Sequence, residues 1–169
     1  MGNLALVYEG LGHHQEALNR LRSALAVYRK LNYRLKLPST IHNLGGVLKA
    51  QGDVKGALAK FEESLSLARE FDDRRLQAQA LASIGSANHA LGNKELAVTF
   101  YEQAISAHRA LGDRAGEAVG LNNMGHLLMD SKKPEEAEDF FFRALRLTRA
   151  SGNPAIEAAV LMNLAIHYR

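Results

Sequence analysis

The feature that most constrains the fold is the return of the same residue types every 40 positions. When the sequence is shifted by 40 residues, a large apolar residue followed by a small one coincides four times without insertion or deletion. These pairs are Leu4-Ala5, Leu44-Gly45, Ile84-Gly85, Met124-Gly125 and Leu164-Ala165. A fixed period of this length is typical of repeat proteins, whose units bury their apolar faces only by stacking on their neighbours. The period therefore predicts a stacked array.

Three further columns identify the secondary structure of the unit. They are Ala17, Ala57, Ala97 and Ala137; Leu21, Phe61, Tyr101 and Phe141; and Ala24, Ser64, Ala104 and Ala144. Steps of 4 and then 3 residues keep the columns on one face of an α-helix. The composition agrees, because 14 Gly and 3 Pro among 169 residues are too few for a β protein with many turns. We predict an all-α fold.

Each unit carries two breaks, so each is expected to contain two helices. The breaks are rich in Gly, Asn and Asp, which end one helix and cap the next. The predicted helices are 1–10, 14–31, 38–50, 54–71, 73–90, 94–111, 113–130, 134–150 and 154–168. Pro38 should delay or kink the third of them. We expect a single repeat domain over 1–169, part of a longer protein, with units 1–32, 33–72, 73–112, 113–152 and a partial unit 153–169.

This pattern resembles the tetratricopeptide repeat. The fourth unit carries the matching residues Leu121, Met124-Gly125, Leu128, Ala137, Phe141 and Ala144. The 40-residue period resembles the subtype of cell-polarity adaptors, kinesin light chains and bacterial signalling regulators. The resemblance implies a right-handed α-solenoid of antiparallel helix pairs that acts as a non-enzymatic scaffold for protein–protein interaction. It also implies a concave wall lined by the first helix of each unit.

The side chains between the core columns of those first helices are the candidate binding residues. They are mostly polar, small and uncharged, which suits the backbone of an extended partner peptide. They are Ser39, His42, Asn43, Lys49, Gln79, Ser83, Ser86, His89, Asn122, Asn123, His126, Met129 and Asn163. Because Lys49 is the single basic residue among them, a ligand held by its C-terminal carboxylate is disfavoured.

One column of these residues has two possible roles. It contains Asn3, Asn43, Asn123 and Asn163, with Ser83 in the third unit. It resembles the asparagine ladder with which polarity adaptors grip peptide backbones. The alternative is that the amides tie neighbouring helices together.

The sequence gives little support to catalytic, metal or membrane roles. Cysteine is absent, and no phosphate loop or nucleophile motif occurs, so we predict no enzyme activity and no cofactor. Seven histidines are present, but helices packed about 8 to 10 Å apart should keep those of successive units out of metal-bonding reach. No apolar run reaches the roughly 18 residues that span a bilayer, and a cytoplasmic location is expected.

The remaining charge and the chain ends suggest other partners. Residues 1–40 hold 6 basic and 2 acidic side chains, and this block accounts for the net charge of +3. Without aromatic interleaving, nucleic-acid binding is disfavoured. Uncovered apolar residues near the ends, Leu4, Val7, Tyr8, Leu161, Leu164 and Ala165, predict end-to-end self-association. The alternative function is the ligand-sensing part of a larger signalling or transcriptional regulator.

Overall fold

The computed structural model describes residues 14–152 and 154–167, which fold into α-helices joined by short turns. The helices are α1 (His14–Lys30), α2 (Leu37–Ala50), α3 (Val54–Glu70), α4 (Arg74–Ala90), α5 (Lys94–Ala110), α6 (Arg114–Asp130), α7 (Pro134–Ser151) and α8 (Pro154–His167). The fold is an all-α repeat solenoid, as the period predicted. The predicted helix 1–10, with Asn3, Leu4, Val7 and Tyr8, lies outside the described residues.

The turns repeat with a period of 20 residues, so each helix is joined to the next in the same way. A residue with positive φ occurs in every turn, at Asn32, Gly52, Asp72, Gly92, Gly112, Lys132 and Gly152. Glycine adopts this left-handed backbone without strain, and Asn and Asp tolerate it better than most residues. Because these residues end the helices, the observed bounds lie within one residue of those predicted for 14–168.

The second unit departs from the others at its start, as Pro38 predicted. Its counterparts α4 and α6 begin at Arg74 and Arg114, whereas α2 begins at Leu37 after a single 3-10 turn, Arg34–Lys36. Pro38 then occupies the first turn of α2, where its missing N–H removes no helical hydrogen bond. The helix therefore starts late and is not kinked.

The core of each unit is an aromatic ring packed against a glycine of the same unit. Phe61, Tyr101 and Phe141 are almost wholly buried. A Cβ atom added to Gly45, Gly85 or Gly125 would lie 2.7, 2.7 or 2.6 Å from the nearest ring atom. The missing side chains therefore allow the two helices of a unit to pack closely, which explains the large-then-small column.

The first helices form the inner wall of the array. Within the described residues, α2 approaches α4, α4 approaches α6, and α6 approaches α8, while the second helices α3, α5 and α7 do not approach one another. Such unequal spacing curves the stack toward the first helices. None of the described helices is long and apolar enough to cross a membrane.

The end of the array corrects one expectation. Leu164 is only 6% exposed because it packs in the same apolar cluster as Val160, Leu128 and Leu145. Leu161, at 43%, and the neighbouring Met162, at 66%, remain exposed. The apolar surface near this end is therefore Leu161 and Met162, without Leu164, and self-association remains a prediction.

Candidate functional site

The inner wall of the first helices carries three open cavities. One of about 430 Å³ is lined by Lys49, Ser86, His89, Ala90, Tyr101, Asn123, His126 and Asp130. A second of about 520 Å³ includes His42, Asn43, Gln79, Ala82, Ser83 and Val119. A smaller one of about 200 Å³ lies between Lys49, Ser83, Ser86 and Asn123. We call the surface formed by the residues of these three cavities the groove.

Nine of the thirteen candidate binding residues line the groove. They are His42, Asn43, Lys49, Gln79, Ser83, Ser86, His89, Asn123 and His126. The other four are not among the lining residues. The hydroxyl of Ser39 donates to the carbonyl of Lys36 at the start of α2, Met129 packs against the apolar core, and Asn122 and Asn163 bond to each other.

The asparagine column divides between its two possible roles. The Asn163 amide donates to Asn122 Oδ1 at 2.9 Å and so links α8 to α6. Asn43, Ser83 and Asn123 are half-buried in the groove wall, and none of their side chains forms a hydrogen bond with the described residues. Half-buried polar groups without a protein partner remain available to a ligand or to water.

The centre of the groove holds a polar link between three helices. The Lys49 ammonium on α2 donates to the Ser86 hydroxyl on α4, and Ser86 also hydrogen-bonds the Tyr101 hydroxyl on α5. Burial lowers the pKa of Lys49. Burial raises the pKa of Tyr101, and the bond to Ser86 partly offsets this effect. Ser86 therefore positions the groove's one basic side chain as well as lining the wall.

His42 is more deeply placed than the other groove histidines. Its ring centroid lies 5.2 Å from that of Phe61, with the planes tilted by 48°. Its Nδ1 is buried and has no hydrogen-bond partner among the described residues. Burial lowers the pKa of His42, because the neutral ring is favoured where water is excluded.

We expect His42 to make the fold less stable in mild acid. The unfolded chain takes up a proton near the ordinary pKa of 6.5, whereas the folded chain resists protonation until a lower pH. The free energy of unfolding should therefore fall as the pH drops below about 6.5, until the folded pKa is passed. In His42→Gln the loss between about pH 7.5 and 5 should be smaller, as measured by urea unfolding at each pH. An equal loss in both proteins would contradict this assignment.

Sequence reasoning missed a polar pair at the junction of α5 and α6. Buried His108 places Nδ1 2.9 Å from Asp113 Oδ2, and Asp113 caps α6 by accepting from the Gly116 N–H at 2.9 Å. That backbone bond, with help from His108, holds the pKa of the Asp113 carboxyl below its usual range despite its partial burial. His108 stands where other units have Ala68 and Thr148, so the repeat gives no signal for it.

Two histidines of successive first helices come together, contrary to the sequence expectation. His89 on α4 and His126 on α6 have ring centroids 5.7 Å apart. Asp130, which sequence reasoning did not include, lies beside both, with its Oδ2 2.8 Å from His89 Nε2. The expectation failed because it used the distance between helix axes, whereas these long side chains extend toward each other. The i, i+4 spacing of His126 and Asp130 was the available signal.

The basic N-terminal block is partly neutralised by its neighbours. Arg20 pairs with Glu16 at 2.7 Å, Arg34 with Glu70 at 2.6 Å, and Arg29 approaches Glu63 at 3.6 Å. The last two pairs join α1 or the 3-10 turn to α3. These side chains therefore form part of the contacts between units rather than a free cationic surface.

A curved array of helical hairpins with an open polar inner wall defines a helical-repeat protein. Tetratricopeptide repeat models match residues 1–32, 37–110 and 121–155, which together make up most of the chain. The chain belongs to the tetratricopeptide repeat family. Proteins of this fold are in general non-enzymatic scaffolds for protein–protein interaction. No curated protein sequence matches the chain.

Solved structures share the architecture at low sequence identity. Aspartyl phosphate phosphatase F from Bacillus subtilis is 13% identical with a TM-score of 0.88, and the match covers 98% of this chain and 43% of that one. BtubC from P. vanneervenii is 22% identical with a TM-score of 0.76, covering 92% and 65%. A Podosopora anserina protein described as a kinesin light chain with nearly identical TPR-like repeats is 20% identical with a TM-score of 0.77, covering 99% and 82%. The chain thus spans less than half of the phosphatase.

Proposed function

We propose that the chain binds an extended segment of a partner protein in the groove, without chemical turnover. The observation that carries the proposal is the state of Asn43, Ser83 and Asn123. They recur every 40 residues and line the cavities, and their side chains form no hydrogen bond with the described residues. Amide and hydroxyl groups in this state can donate to and accept from a peptide backbone.

The spacing of these residues suits an extended chain. They lie on α2, α4 and α6, whose separation should be near the roughly 8 to 10 Å of packed helices. An extended peptide rises about 3.3 Å per residue. Each step from one unit to the next therefore corresponds to about three peptide residues, and a segment of about seven residues would reach from Asn43 to Asn123.

The wall also limits the chemistry of the ligand. Ala82 and Val119 offer shallow apolar contacts beside the polar column, and Lys49 is the one cationic side chain among the lining residues of the three cavities. A segment with small or apolar side chains between its backbone contacts therefore fits better than a strongly charged one. An acidic side chain is favoured only near Lys49.

The location of the ligand can be tested by photo-crosslinking. A peptide is first selected from a displayed library on the purified chain, and a photoreactive phenylalanine is then placed at Gln79 or Val119, which are exposed in the groove. The matched positions are Gln103 and Ser106, exposed on the second helix α5. We expect crosslinks to the peptide from the groove pair alone. Crosslinks from the α5 pair, with none from the groove, would place the ligand elsewhere.

A further inference from the structure

Three metal-binding side chains meet at the ends of two neighbouring first helices. They are His89 in the last turn of α4 and His126 and Asp130 in the last two turns of α6. One possible ligand atom from each lies within 4.8 Å of the other two. His89 Nε2 is 2.8 Å and His126 Nδ1 is 3.6 Å from Asp130 Oδ2. The three groups border the cavity of about 430 Å³ in the groove.

The cluster is a departure from the repeat and is not produced by it. One unit earlier, the positions of His89, His126 and Asp130 are held by Lys49, Ser86 and Ala90. The junction of α2 and α4 therefore carries one amine, one hydroxyl and a methyl group where the junction of α4 and α6 carries two imidazoles and a carboxylate. Stacking of the units does not require these side chains, since the equivalent junction forms without them.

We propose that His89, His126 and Asp130 form a binding site for a divalent transition-metal ion, with Zn²⁺ as the natural probe. Two imidazole nitrogens and a carboxylate oxygen are a donor set that zinc accepts, at about 2.0 to 2.2 Å per bond. In a tetrahedral site with such bonds the donor atoms lie roughly 3.3 Å apart. Separations of 2.8 to 4.8 Å reach that value by small side-chain rotations.

The surroundings permit those rotations and leave the site open. The side chains of His126 and Asp130 are about half exposed, while that of His89 is mostly covered and fixes one ligand. Three protein ligands leave a fourth position, which faces the cavity and is open to water or to a side chain of a bound partner. Carboxylate ligands of Mg²⁺ and Ca²⁺ would need more oxygen donors than the one side chain offers. The site therefore selects zinc-like ions.

Two cations near the site oppose metal binding. Lys94 Nζ donates to the backbone carbonyl of Asp130 at 2.6 Å, and Lys49 lines the same cavity. Their repulsion predicts that Lys49→Met, which keeps the apolar stem and removes the charge, binds the metal more tightly than the natural chain. A nonspecific surface site would not respond to this change.

The proposal is tested by calorimetric titration of the untagged chain with ZnCl₂. We expect saturable binding of one ion per chain, at least tenfold weaker in His126→Ala and in Asp130→Asn, because even changes beside a metal ligand typically cost 10- to 100-fold. MgCl₂ should give no saturable binding. Both substitutions are at exposed positions, and an unchanged circular dichroism spectrum verifies that each variant is folded.

A matched control removes two imidazoles elsewhere in the chain. The adjacent pair His13 and His14 is replaced by alanine, and we expect Zn²⁺ binding to stay within about twofold of the natural chain. The proposal is overturned if no saturable binding occurs, if the His13→Ala/His14→Ala variant loses binding, or if His126→Ala and Asp130→Asn bind as tightly as the natural chain. None of these outcomes depends on whether the groove holds a peptide.

Discussion

We expect Phe141→Ala to lower the free energy of unfolding by about 3 to 5 kcal/mol, the usual range for removal of a buried aromatic ring. Phe141 is 0% exposed, and its ring covers Gly125, where an added Cβ would lie 2.6 Å away. No side chain on the facing helix can fill the resulting cavity, because the facing residue is a glycine. Urea unfolding followed by circular dichroism measures the change.

The next residue along the chain is the matched control. Phe142 has the same side chain on the same helix but is 44% exposed, so Phe142→Ala should change stability by only about 0.5 kcal/mol, as expected of surface positions. Similar losses in the two variants would contradict the assignment of Phe141 to the repeated core. They would also contradict the register of α7, because a rotation by one residue exchanges these two rings.

The fold could be predicted from the sequence because its determinants are local and repeated. The turns contain Gly, Asn or Asp at the positive φ positions, apart from Lys132, and the rings of Phe61, Tyr101 and Phe141 recur at the spacing of one helical face. Each unit thus gives the same prediction independently. Even the exception at Pro38 followed from its chemistry.

The candidate site was less predictable because it depends on where individual side chains extend. The period placed nine of thirteen residues in the groove, since all positions of a column share one face. It could not distinguish Asn163, bonded to Asn122, from Asn43 and Asn123, which occupy the same column. It also could not place Asp130 beside His89, because that contact joins residues of two units that have no equivalents in the repeat.

We expect substitution of the two free asparagines to weaken binding of a selected peptide by one to two decades. A hydrogen bond contributes about 0.5 to 1.5 kcal/mol, and each 1.4 kcal/mol is about tenfold in affinity, so the loss of two bonds in Asn43→Ala/Asn123→Ala is worth roughly 10- to 100-fold. Because neither amide bonds to the described residues, the variant should melt at nearly the same temperature as the natural chain.

A matched pair of amides on the second helices separates groove contact from a general loss of polarity. Asn19 on α1 and Gln103 on α5 are both exposed, and Asn19→Ala/Gln103→Ala should bind the peptide as the natural chain does. Basic residues are kept in all variants, so association driven by charge alone is unchanged.

The most direct measurement of groove binding is therefore the dissociation constant of one selected peptide, determined by fluorescence anisotropy for the natural chain and both double variants. The account predicts a constant 10- to 100-fold larger for Asn43→Ala/Asn123→Ala alone, with unchanged melting. An unchanged constant in that variant would contradict the account, and a lowered melting temperature would instead assign the two amides to contacts between helices.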